Sequence, residues 1–181
     1  MSPRSAAVAR ELLGRTLASD LGGARVSGII VETEAYLGEH DPAAHAWRRR
    51  SHALYRGVWG PAGSWYVYRS YGLHWCLNIT APTNDDGGAV LIRAVIPRDG
   101  IEVIRVRRGL VADRQLTNGP GKVAQAFAVT GEQDGMRMTL RSPLRLLRRS
   151  AIPGTIVVTP RIGITRAVDW PLRFCWQPAA A

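Results

Sequence analysis

Hydrophobic positions along this chain change their period several times. Residues 5–17 carry Val8, Leu12, Leu13 and Leu17 on one helical stripe with Ser5 placed to cap, which predicts an opening helix. Leu21-Gly22-Gly23 breaks it. Residues 24–37 alternate instead. Ile29, Val31, Thr33, Ala35 and Leu37 fall on one face of a strand, and Ile30, Glu32, Glu34 and Tyr36 on the other. Residues 38–55 form a polar loop, and Gly60-Pro-Ala-Gly63 a turn. Residues 65–71 and 73–80 read as two strands hinged at Tyr71-Gly72. A hairpin-type loop over 81–88 then leads to a strand over 89–95. Beyond this the pattern changes. Residues 100–108 read as a basic helix, and Asn118-Gly-Pro-Gly121 opens another that runs through Ala128. Residues 138–176 hold short strands punctuated by Pro and Gly. Blocks of strands with helices at the start and middle predict an α+β fold: one compact domain over residues 1–181, with a mostly antiparallel curved sheet and flanking helices. The ends, about 1–4 and 177–181, are expected to fray.

Charge adds a direction. The 24 Lys and Arg exceed the 14 Asp and Glu, giving a formal +10. Residues 101–181 hold 13 of the basic and only 5 of the acidic groups. Lys122 is the only lysine. Such an excess favours a polyanionic partner, nucleic acid before anionic lipid, although an Arg-rich surface also follows from genomic base composition. No apolar run approaches the roughly 18 residues of a membrane span. The charged N-terminus is unlike a secretory signal. Cys76 and Cys175 lie too far apart for a disulfide framework or a Cys-based zinc site. The expectation is a cytoplasmic protein, at the nucleoid in a bacterium or in the nucleus of a eukaryote, with no cofactor, no metal and no membrane partner.

Several residues carry candidate chemistry. Glu32, Glu34 and Tyr36 share a face of a strand whose other face is apolar, and a buried carboxylate is costly unless paired. Two readings fit: a cleft-lining general base, or the solvated face of an edge strand. Arg93, inside Ala89-Val-Leu-Ile-Arg-Ala-Val95, is expected to pair with Glu34 or Glu32. Tyr66 and Tyr68 share a face amid Trp59, Trp65, Tyr71 and Trp75. Their rings suit either base stacking or core filling. Tyr71 interrupts its strand before Gly72 and so projects its ring. His40 and His45 lack a zincin arrangement, and His45, in the polar loop after the carboxylate strand, suits either a pocket wall or a loop position of no consequence. Gly119-Pro-Gly-Lys122 is not a Walker A loop, yet it suits one phosphate of a nucleic-acid backbone.

Taken in order, these residues resemble the alkyladenine (3-methyladenine) DNA glycosylase family, over about residues 10–176. The resemblance lies in Val31-Glu-Thr-Glu-Ala-Tyr-Leu-Gly38, Ala43-Ala-His45, Tyr66-Val-Tyr-Arg-Ser-Tyr-Gly72, Cys76-Leu-Asn-Ile79 and Ala89-Val-Leu-Ile-Arg-Ala94. It continues in Asn118-Gly-Pro-Gly-Lys122, Arg161-Ile-Gly-Ile164 and Pro171-Leu-Arg-Phe174. It implies an enzyme that flips damaged purines out of double-stranded DNA, 3-methyladenine with hypoxanthine and ethenoadenine as further substrates, and a monomer is expected. Because Lys122 is the only side-chain amine and is assigned to a phosphate, a monofunctional, water-using enzyme is expected. On that resemblance Glu34 is the general base and Arg93 holds it with its water. Tyr36, His45 and Tyr68 wall the base pocket, and Asn78 excludes guanine. Tyr71 wedges into the stack, while Gly119, Gly121 and Lys122 contact the backbone. Residues 51–59 depart from the family: Ala53-Leu54 and Val58-Trp59 stand where an Arg-Asn and a Met-Phe pair are usual. Two other classes compete: a non-catalytic nucleic-acid-binding module on the same fold, and a small hydrolase of another kind.

Overall fold

A computed structural model describes residues 4–49, 53–84, 86–149 and 154–179. Helix α1 (Arg4–Leu12) leads into β1 (Arg15–Ser19) and the long β2 (Val26–Tyr36). Strands β3 (Trp65–Ser70), β4 (His74–Thr80) and β5 (Ala89–Pro97) follow, then helices α2 (Ile101–Arg108) and α3 (Pro120–Ala126). Strands β6 (Leu144–Arg149), β7 (Gly154–Thr159) and β8 (Arg173–Pro178) complete the chain, giving the expected α+β fold. All strand pairings are antiparallel. Among the described residues, no helix is long and apolar enough to cross a membrane.

The opening helix is shorter than its stripe predicts. Gly14 sits at φ 82, a left-handed conformation that ends a helix cheaply only at glycine, and Leu17 belongs to β1. Its burial is the same in either element, which is why periodicity alone extended the helix. At the other end, Gln177 and Pro178 are paired with Thr155 and Gly154. Of the ends expected to fray, residues 1–3 and 180–181 lie outside the described residues.

The sheet runs β3-β4-β5-β2-β1-β6 and forks at β2. Residues 26–29 of β2 pair with β1, whereas Glu32, Thr33 and Glu34 pair with Cys175, Phe174 and Arg173 of β8. At the fork the β2–β5 register is irregular on both sides of Glu32. This changes the inward phase. Val26 and Ile30 face the main core before it, and Ala35 after it. Simple alternation put Ile30 with Glu32 and Glu34; the irregularity parts them and leaves both carboxylates opposite the core. That core packs α1, α3 and Ile104 of α2 on one face of the sheet, around Trp65, Leu77, Ile92 and Phe127. A smaller cluster of Ala46, Val58, Tyr66 and Ala89 lies apart from it.

Candidate active site

The strand pattern of β2 delivers Glu34 into a fully buried position, 0% exposed. A carboxylate there must be satisfied by the protein. Three donors do so. Tyr36 Oη donates to Oε2 at 3.0 Å and Arg93 Nη1 to the same oxygen at 3.4 Å; the Ile162 backbone N–H donates to Oε1 at 2.8 Å. Burial, then the Glu34 charge, push the Tyr36 hydroxyl far up, so it remains a donor. Arg93 Nε also donates to Glu32 Oε1 at 2.9 Å. The two partners named as alternatives for Arg93 are thus both used. Burial works against the Arg93 charge, but Glu34 and Glu32 hold its pKa above the ordinary arginine value.

Tyr36 also turns toward a cleft of about 740 Å³, within the usual range of small-molecule sites. His45, Tyr55, Tyr66 and Tyr68 line it, with Asn78 and the 163–166 loop. His45 is the hub. It stacks on Tyr55 at 3.9 Å and 14°, meets Tyr68 edge-on at 4.5 Å, and holds Tyr66 Oη through Nδ1 at 2.6 Å. Burial pushes its pKa down to about 4. The imidazole is therefore neutral in the folded protein at pH 5, where an unfolded histidine with the ordinary 6.5 is charged. Protons then favour the unfolded chain, so stability should fall as pH drops from 6.5 towards 4. Between pH 7.5 and 5 the loss is about 2 kcal/mol. Urea unfolding at the two pH values should show it, and His45→Phe should remove it; an equal loss in the variant would refute the assignment.

Asn78 is 2% exposed, and its amide nitrogen donates to the carbonyls of Tyr66 at 3.1 Å and Cys76 at 3.3 Å. Those two bonds hold the side chain in place at the cleft wall.

A second clamp supports the cleft. Arg161 and Asp41 are both without side-chain exposure and bond in a two-pronged pair, Nη1 to Oδ2 at 2.5 Å and Nη2 to Oδ1 at 2.9 Å. Arg161 Nη1 also donates to the Ala35 carbonyl, and its guanidinium lies 4.7 Å from the Tyr36 ring centre. Asp41 accepts from the backbone of Leu37 and Ala43 as well. This pair ties the end of β2, the His45 loop and the 161–166 loop together.

The turn from β3 to β4 points away from the core. Tyr71 and Gly72 both have positive φ, 51 and 67, closed by a Leu73 N–H to Ser70 carbonyl bond. A non-glycine residue held there is strained, yet Tyr71 is 88% exposed and lines the cleft mouth. The start of α3 lies beside this turn. A Cβ on Gly121 would stand 2.9 Å from the His74 Cβ, so only glycine lets the helix approach so closely. Lys122 Nζ donates to Asn118 Oδ1 at 2.7 Å.

Residues 1–179 match the family model described as methylpurine-DNA glycosylase. The chain belongs to that family. Related proteins named "Putative 3-methyladenine DNA glycosylase" include one from Agrobacterium fabrum, 47% identical over 174 residues, covering 96% of this chain and 84% of that protein. One from Rhodopseudomonas palustris strain HaA2 is 46% identical over 167 residues, 92% and 79% of the two chains. Another, from Nitrosospira multiformis, is 43% identical over 177 residues, 96% and 86%. This methylpurine-DNA glycosylase is accordingly a DNA N-glycosylase, a hydrolase in the repair of alkylation damage.

Within the glycosylase, the structure gathers Tyr36, His45, Tyr68, Tyr71 and Asn78 around one cleft. It sets Glu34 and Arg93 behind Tyr36 rather than in the cleft lining. Gly119, Gly121 and Lys122 stand apart from it, next to the Tyr71 turn. Sequence reasoning overlooked Tyr55, Asp41, Arg161 and Arg173 as site residues. Tyr55 lies in the 3-10 segment Ala53–Trp59, at a kink with φ −123 and ψ 23. That segment is fixed by Gly57, whose missing side chain leaves room for the Asp134 carboxylate. Ser51 and His52 of the divergent loop lie outside the described residues.

Proposed function

We propose that this glycosylase flips alkylated or deaminated purines, among them 3-methyladenine, hypoxanthine and ethenoadenine, out of double-stranded DNA and hydrolyses the glycosidic bond with a water activated by Glu34. One observation carries the reading: a fully buried carboxylate, held by Arg93, Tyr36 and the Ile162 N–H, at the back of an aromatic cleft. Glu34 takes one proton as the water oxygen bonds to C1′. The bonding pair of the C1′–N9 bond leaves with the purine, and an abasic sugar remains; a cationic alkylated purine is thereby released neutral, whereas neutral hypoxanthine or ethenoadenine also takes up a proton as it leaves.

Tyr36, His45 and Tyr68 wall the flipped base. Their π-faces favour a cationic alkylated purine by up to about 2 kcal/mol when desolvated. Neutral His45 adds no repelling charge. Asn78 rejects guanine by its fixed bulk. Tyr71 fills the gap in the stack, offsetting part of an unstacking cost of a few kcal/mol. Gly119, Gly121 and Lys122 meet the backbone beside it, and the enzyme acts as a monomer on chromosomal DNA. A pure DNA-binding module would gain nothing from two carboxylates beneath the cleft.

Lys122, the only side-chain amine, is outside the cleft lining, so no Schiff base forms with the sugar. The test is incubation with duplexes carrying each of the three bases. Free base should appear, and strand breaks only after added alkali or heat. Absence of base release would overturn the function; spontaneous scission would overturn the water mechanism.

A further inference from the structure

Glu34 does not hold Arg93 alone. Arg93 Nε donates to Glu32 at 2.9 Å, closer than the 3.4 Å of its contact with Glu34. Arg173 Nε donates to the same Glu32 oxygen at 2.6 Å, and its Nη1 to Thr159 Oγ1 at 3.1 Å. The result is a line of alternating charge, Arg173, Glu32, Arg93, Glu34, supplied by the adjacent strands β8, β2 and β5. Side-chain exposure along it falls from 22% through 18% and 14% to 0%.

We infer that Glu32 and Arg173 are positioning residues that set how closely Arg93 presses on Glu34, and thereby how readily Glu34 accepts a proton from water. The inference rests on the reading of Glu34 as general base. A guanidinium shared with a second carboxylate stabilises the first one less than an unshared one does. Glu32 thus holds Arg93 back. Arg173 occupies part of Glu32 and so lets Arg93 lean further towards Glu34. The two residues act in opposite directions on the same atom pair.

The remaining groups around Glu34 do not mimic this. Tyr36 on β2, Cys175 on β8 and Cys76 on β4 are pushed up by burial and remain protonated. Arg161, over the Tyr36 ring, is engaged by Asp41.

The test is the pH profile of single-turnover base release from methylated duplex DNA with enzyme in excess. Glu32→Gln should move the acidic limb to lower pH by about one unit and lower the plateau roughly tenfold. Arg173→Gln should move the limb to higher pH, and Glu32→Asp should return it towards the parent profile. If Arg173→Gln does not fold, Arg173→Lys, which keeps the charge but loses the Nε donor, should move the limb in the same direction by less. Limbs that stay in place, or move together, would overturn the inference. If Glu34→Gln releases base at the parent rate, it is the reading of Glu34 that fails instead.

Discussion

Replacing Glu34 by Gln should lower the single-turnover rate of base release by about 10²- to 10⁴-fold, the range of a lost general base. The substitution keeps the shape and removes the group that accepts a proton. It also puts an amide where one oxygen accepts from Ile162 and the other from Tyr36 and Arg93. One donor must therefore face another donor. Arg93 keeps its bond to Glu32, so the guanidinium is not left without an anion. The variant should fold and should bind alkylated duplex DNA as the parent does. Rate, melting temperature and DNA affinity together decide the case. A rate within tenfold of the parent, with folding and affinity intact, would remove Glu34 from the mechanism.

The second large effect falls on stability. Asp41→Asn should cost about 3–5 kcal/mol, because it leaves the Arg161 charge buried without its partner. Domains of this kind are stable by only about 5–15 kcal/mol, so roughly a fifth or more of the margin would go. For a chain of this length the melting temperature should drop by roughly 6–20 °C. Arg161→Met should be similarly harmful. The double variant, with neither charge present, should be clearly more stable than the sum of the two losses predicts. Additive losses in that cycle would mean that the pair contributes nothing as a pair. Because Arg161 precedes the Ile162 N–H on Glu34 and covers the Tyr36 ring, base release should fall even in the folded fraction.

The carboxylate half of the site was legible in the chain because its logic is local. Two-residue alternation places Glu32, Glu34 and Tyr36 together, and an arginine inside an apolar strand demands an anion nearby. Tyr71 before Gly72 announces a turn by the same kind of rule. The Arg161–Asp41 pair obeys no such period: 120 positions separate its members, and both lie in loops. The hint was Arg161 beside apolar Ile162, inside the Arg161-Ile-Gly-Ile164 motif, and it named no partner. Tyr55 was hidden for a related reason, since a lone aromatic in a polar segment does not disclose which ring it will meet. Helix α1 was overextended because burial of Leu17 suits helix and strand alike. Gly14, which decides between them, falls inside the span that the stripe assigns to helix but adds nothing to the stripe itself.

The fork at β2 has a consequence in time. The N-terminal half of β2 finds its partner in β1, whose last residue, Ser19, lies seven positions before Val26, but Glu34 is completed by Ile162 and Arg173. Such distant pairings form late, after the loop that closes them has been ordered. Domains emerge from the ribosome N-terminus first. The Tyr71 turn and the aromatic walls are therefore synthesised well before the residues that clamp the carboxylate. A chain still being made can assemble much of the cleft, but it acquires the finished clamp around Glu34 only when the last strand docks.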